Sequence, residues 1–199
     1  MKYFYSTALP ALLVCSLLMP VTPAMAQQAF GNEACPALLQ HSFLRLQDEK
    51  PQSLCQYRGK VLLVVNTASY CGFTGQYKEL EALHARYQSK GLVVLGFPSN
   101  DFSQESGSNK EIAAFCENTF GVRFPMFAKS SVTGPQANAL YQQLARQTGQ
   151  APRWNFHKYL IARDGTVVDN YSSLTSPDSR SVVRAIEQQL ARPVPGSQP

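Results

Sequence analysis

The hydrophobic pattern of the chain is clearest at Val61–Val65, five consecutive apolar residues rich in β-branched side chains. A run this short cannot span a membrane. It predicts a strand buried on both faces, hence the centre of a mainly parallel sheet. Small and polar residues follow, Asn66, Thr67, Ala68 and Ser69, then Cys71-Gly72-Phe73-Thr74. Beyond them Tyr77, Leu80, Leu83 and Tyr87 recur at the three-to-four spacing of an amphipathic helix, which Ser89-Lys90-Gly91 stops. A second buried strand is predicted over Leu92–Phe97, ended by Pro98.

Upstream of this unit, Ser42–Leu46 and Gln52–Leu54 read as a hairpin around the polar turn Gln47–Pro51. Downstream, residues 98–109 form a polar loop, and Ser108-Asn109-Lys110-Glu111 leads into a helix through Ile112, Phe115, Cys116 and Phe120, closed by Gly121. Phe124–Phe127 contains a proline and suits a sheet edge. Ala137–Gln147 is a predicted helix with Leu140, Tyr141 and Leu144 on one face. Lys158–Ala162 and Thr166–Asn170 are strands turned at Asp164-Gly165. Ser176-Pro177 starts a last helix with the stripe Val182, Val183, Ile186 and Leu190. This order predicts an α/β fold, a mixed central sheet flanked by helices with an N-terminal β-hairpin. No internal repeat or second domain is evident.

The first 26 residues carry the pattern of a secretory signal. Lys2 supplies the positive charge, Ala8–Leu18 the apolar core, and Ala24-Met25-Ala26 the small-residue cleavage site. Cys15 lies in that apolar core and is discarded with it. Removing 26 of 199 residues leaves 173, a single domain over residues 27–199 with room for a proper core. The protein is accordingly expected to be exported, to the periplasm, with no membrane-spanning segment after cleavage. Without Lys2 the 18 basic residues fall to 17, against 13 acidic. They are scattered, so no nucleic-acid partner is expected.

Charge decides little, whereas the cysteines decide more. Cys35, Cys55, Cys71 and Cys116 remain after cleavage, in a compartment where disulfides persist. Four cysteines allow three full pairings. Neither Cys-x-x-Cys nor a zinc-type Cys/His cluster is present, so no metal and no cofactor is expected. Cys35 precedes the hairpin and Cys55 follows it, so a lead-in running beside the hairpin would let them pair as a structural disulfide. Cys71 differs in kind. It falls between a central strand and a helix start, where unpaired backbone N–H groups stabilise negative charge and so favour a reactive thiolate over a buried, inert thiol.

Taken together, VLLVVNTAS-Tyr70-CGFT around Cys71, LGFPSNDF followed by Gln104-Glu105, Phe124–Phe127 and Trp154-Asn155-Phe156 resemble the glutathione peroxidase family, a branch of the thioredoxin fold. The resemblance runs over roughly Phe43 to Leu190. It implies a peroxidatic cysteine at Cys71 and a tetrad completed by Gln104, Trp154 and Asn155. These three are neutral donors that stabilise a thiolate and the charge on the departing oxygen. It also implies thiol-dependent reduction of hydrogen peroxide and organic or lipid hydroperoxides through a cysteine sulfenic acid, in defence against oxidative stress. The reductant is glutathione or a thioredoxin-like protein. Members that use thioredoxin carry a resolving cysteine in the helix after the Gln-bearing loop. Cys116 lies in that helix, next to Glu117, which holds the plant-type register.

Some features depart from the family pattern. The Asn100–Gln104 loop is one residue short, and Ser99 stands where many members have cysteine. The stretch from Gln147 to Arg153 lacks the insertion of tetrameric members, which implies a monomer. Among the histidines, His41 lies in the lead-in and His157 follows the Trp-Asn-Phe motif, with no role assigned to either. His84 invites comparison with a Cys-His nucleophile pair. It is about three turns beyond Cys71, however, and reads as a surface cap. Two alternatives remain on the same fold, a thiol–disulfide oxidoreductase and a non-enzymatic peroxide sensor.

Overall fold

A computed structural model of the chain describes residues 1–3 and 34–196. The described residues from 34 on belong to one compact unit, Gly31–Pro199, the second of two along the chain. The predicted leader over residues 1–26 lies outside the described residues except for its first three. The second unit is built from β1 (Ser42–Leu44), β2 (Pro51–Ser53), β3 (Val61–Thr67), α1 (Gln76–Tyr87), β4 (Leu92–Pro98), α2 (Asn109–Phe120), α3 (Ala139–Thr148), β5 (Lys158–Ile161), β6 (Val167–Tyr171) and α4 (Arg180–Leu190).

The central sheet has the order β4-β3-β5-β6. β3 pairs parallel with β4 and antiparallel with β5, and β5 pairs antiparallel with β6. The sheet is therefore mixed and not mainly parallel as the apolar run suggests: burial on both faces makes a strand apolar throughout whichever way its neighbours run. Alternation along β3 divides the core in two. Val61, Leu63 and Val65 pack with Tyr77, Leu80 and Leu83 of α1, Ile112 and Cys116 of α2, and Val182 and Ile186 of α4. Leu62 and Val64 pack on the other face with Leu140, Tyr141 and Leu144 of α3, with Leu38 and Leu39 from the lead-in, and with Leu54 from the turn after β2. Every residue of β3 is buried, as a strand covered by helices on both faces requires. β1 and β2 form a separate two-stranded sheet.

Several boundaries move from their sequence positions, for local reasons. β3 continues through Asn66 and Thr67, because their backbone stays in register with Phe97 and Pro98 of β4. α3 begins at Ala139 rather than Ala137, where the Asn138 side chain caps the Tyr141 N–H. α4 begins at Arg180, after a turn over Ser176–Ser179, and not at Ser176-Pro177. The start of α2 follows its signal: Ser108 and Glu111 form a capping box, and Gly121 ends the helix in the left-handed region at φ 63°. Phe124–Phe127 does not form a full strand, and touches the sheet through bridges of Met126 to Gly96 and of Phe127 to Arg45. Gly96 permits that approach, since a β-carbon there would lie 2.1 Å from the Met126 sulfur.

Cys35 and Cys55 are joined in a disulfide, with their Cα atoms 5.6 Å apart. It ties the lead-in, whose Leu38 and Leu39 are buried, to the turn after β2. Among the described residues no helix is long and apolar enough to cross a membrane.

Candidate active site

Cys71 lies five residues ahead of α1, in a turn rather than in the helix itself. The Thr74 hydroxyl accepts a hydrogen bond from the Cys71 N–H (3.0 Å) and donates one to the Cys71 carbonyl (2.7 Å). This wraps the chain so that the Phe73 N–H points at the Cys71 sulfur, 3.4 Å away. It is the only hydrogen bond that sulfur receives among the described residues. Cys71 is 8% exposed, so only a small part of the residue is open to solvent.

Two further loops are brought to this turn. The Tyr70 N–H donates to the Gln104 carbonyl (3.1 Å), and the Ser69 hydroxyl donates to the Glu105 carboxyl (3.0 Å). Gln104 in turn accepts from the Asn155 amide at 2.9 Å, across 51 positions of sequence. That bond turns the Gln104 oxygen toward Asn155 and leaves its NH₂ group free to donate elsewhere. Asn155 is fully buried, while Trp154 is 41% exposed with its ring against Phe102 at 5.4 Å. Cys71, Gln104 and Asn155 therefore belong to three segments linked by hydrogen bonds, and Trp154 adjoins the third.

Asn66 secures that third segment. Its side chain donates to the Trp154 carbonyl (3.1 Å) and accepts from the His157 N–H (3.1 Å), and its backbone carbonyl accepts from the Phe156 N–H (2.6 Å). Phe156 has φ 62°, a strained conformation for a non-glycine residue that these bonds hold in place. In the sequence, Asn66 is only a polar residue at the end of an apolar run.

The histidines correct the sequence expectation. His84 is not a surface cap. It is buried, its Nδ1 accepts from the Val94 N–H (3.4 Å), and burial pushes its pKa down. His157 is also buried, and burial, with Lys158 and Arg153 nearby, pushes it down to about 4. It lines an open groove of about 450 Å³ together with Phe73, Trp154 and Leu174. Arg153 also lines the groove, which contains no acidic residue, and it makes no ion pair among the described residues. Lys158 is wholly buried, and its ammonium donates to the carbonyls of Ser172 (3.2 Å) and Thr175 (2.6 Å), fixing one wall of the groove. Burial brings Lys158 down to about 8.

Cys116 faces the core in α2 and is 2% exposed. Burial first, and then the charge of Glu105, push its thiol up to about 11. No cluster of three or more metal-ligating side chains occurs among the described residues.

The sequence profile of the family described as glutathione peroxidase matches residues 40–145. A glutathione peroxidase homolog of Halalkalibacterium halodurans is 49% identical over 143 residues, covering 69% of this chain and 91% of that protein. A hydroperoxy fatty acid reductase of Synechocystis is 47% identical over 142 residues, covering 66% of this chain and 84% of that one. Among solved structures, Trgpx in its apo form superposes with a TM-score of 0.63 at 33% identity, covering 79% of this chain and 98% of that one.

Proposed function

Because the chain belongs to the glutathione peroxidase family and is a thiol-dependent peroxidase, we propose that Cys71 is its peroxidatic residue, with Gln104, Trp154 and Asn155 as supporting donors. The carrying observation is the hydrogen-bonded junction of the three segments that hold Cys71, Gln104 and Asn155. The Cys71 thiolate attacks the outer oxygen of a hydroperoxide, the O–O bond breaks, and the oxygen left behind takes a proton as an alcohol or water. The Gln104 NH₂ group and the Trp154 indole N–H stabilise the departing oxygen, while the Phe73 N–H supports the sulfur. Asn155 acts through Gln104, holding its amide in one orientation. A thiol then attacks the sulfenic sulfur and releases water, and a second thiol restores Cys71 as the pair leaves as a disulfide. The groove of Phe73, Trp154 and Leu174, with Arg153 beside it, suits the tail of an organic or lipid hydroperoxide.

The reading extends to an exported, periplasmic monomer whose residues 1–26 are a cleaved signal, supported by the Lys2, Ala8–Leu18 and Ala24-Met25-Ala26 pattern. Peroxide consumption measured with glutathione and with a thioredoxin system side by side tests the activity. Turnover with at least one is expected. Sulfenic acid formation without turnover by either would make the protein a peroxide sensor. Insulin reduction without peroxide turnover would make it a thiol–disulfide oxidoreductase.

Cys116 is the candidate resolving thiol. It shares the apolar core cluster with Cys71 and lies five residues before the Gly121 cap of α2. A thiol pushed up to about 11 is a poor nucleophile in place. Resolution therefore requires the end of α2 to unwind until Cys116 reaches the Cα separation of about 4.4–6.8 Å that a disulfide needs. One equivalent of peroxide is expected to convert two thiols to a Cys71–Cys116 disulfide, seen by mass spectrometry of a non-reduced digest. Full turnover of Cys116→Ser with a thioredoxin-type reductant would leave Cys116 as a packing residue.

A further inference from the structure

Glu105 is a wholly buried carboxyl with an incomplete set of partners. One oxygen accepts from the Ser69 hydroxyl at 3.0 Å, and the other is buried with none. The nearest cation does not pair with it: the Lys129 ammonium donates instead to the backbone carbonyls of Glu105 (3.3 Å) and Gly107 (2.6 Å). Burial pushes the carboxyl up. A buried acid held this way is costlier to the fold than an apolar side chain of similar size. Such a group calls for a reason other than stability.

Its position supplies one. Ser69 is two residues before Cys71, and Glu105 directly follows Gln104. The Ser69–Glu105 bond and the bond from the Tyr70 N–H to the Gln104 carbonyl run side by side between the two loops. Glu105 is itself fixed, since its N–H donates to the Asn100 side chain at 2.9 Å. Neither loop has regular secondary structure to hold it there. The distance from the sulfur to the Gln104 amide therefore depends on this pair of straps.

We propose that Glu105 is a positioning residue for peroxide reduction: through Ser69 its carboxyl holds the Cys71 turn against the Gln104 loop, so that sulfur and amide engage the same peroxide. The inference rests on the assignment of Cys71 and Gln104 above. Misplacement of reacting groups by about 1 Å can cost on the order of a hundredfold in rate.

The test is the second-order rate of Cys71 oxidation by hydrogen peroxide in stopped flow, with thermal melting measured on the same samples. Wild-type oxidation at Cys71 checks the peroxidase assignment, and the pattern among variants checks Glu105. Glu105→Leu is expected to melt no lower than wild type, because it removes an unpaired buried acid, yet to be oxidised about tenfold more slowly or worse. Glu105→Gln keeps an acceptor for Ser69 and is expected to restore most of the rate. Ser69→Ala should slow oxidation about as much as Glu105→Leu, and the double variant no further, since both break one strap. Full-rate oxidation of Glu105→Leu or of Ser69→Ala would overturn the proposal. So would losses that multiply in the double variant, a rate loss that tracks a fall in melting temperature, or no recovery with glutamine.

Discussion

Replacing Cys71 with serine is expected to abolish peroxide-dependent turnover while leaving the fold in place. The turn around residue 71 is built from backbone and Thr74 contacts, and a serine oxygen can still accept from the Phe73 N–H. The reaction needs an ionised, polarisable nucleophile, and a serine hydroxyl at this site has no base to activate it. The histidines offer none: His84 is engaged with Val94 on the sheet side of α1, and His157 makes no hydrogen bond to residue 71. Cys116 cannot substitute, being buried with its thiol pushed up to about 11. A loss of at least about a thousandfold is expected, equivalent to about 4 kcal/mol of transition-state stabilisation. The measurement is steady-state peroxide consumption by purified Cys71→Ser beside a thermal melt. More than trace activity from a folded sample would refute the assignment of the nucleophile.

Removing the Cys35–Cys55 bridge is expected to produce the largest loss of stability. The two residues are 20 positions apart, and closing a loop of that size stabilises a fold by roughly 3 kcal/mol in the chain-entropy account. The effect acts on the unfolded chain, which is released to explore more conformations, and the folded contacts change little. The lead-in also loses its tether, so the packing of Leu38 and Leu39 against α3 is weakened locally. With a urea dependence of about 2 kcal/mol per molar, the Cys35→Ser, Cys55→Ser double variant should unfold at a midpoint about 1.5 M lower. Turnover of the folded protein should be retained, because neither cysteine touches the segments joined at Cys71. An unchanged midpoint, or alkylation of both cysteines without prior reduction, would show that the bridge contributes nothing.

The two variants separate the roles of cysteine in this chain. Cys71 is a free thiol held in a turn, its sulfur accepting from the Phe73 N–H, whereas Cys35 and Cys55 are joined to each other and tie the lead-in to the turn after β2. Glu105 and Asn66 form a second layer: neither is assigned to the chemistry, yet each fastens a loop that carries it.

Much of this architecture is legible in the amino-acid sequence by itself. The unbroken run at Val61 identifies the central strand, because burial on both faces removes the polar alternation that an exposed face imposes. The spacing of Tyr77, Leu80, Leu83 and Tyr87 marks α1, and Ser108 with Glu111 marks the start of α2, because helix faces and caps are encoded within a few residues. The same local logic places Cys71 between strand and helix. What only the tertiary structure decides is where polar residues go. The pairing of Gln104 with Asn155, the clamp made by Asn66, and the burial of His84, Glu105 and Lys158 leave no periodic trace, since each depends on a partner distant in the chain. A polar side chain looks the same in sequence whether it meets water or a buried carbonyl, and only the packed fold determines which.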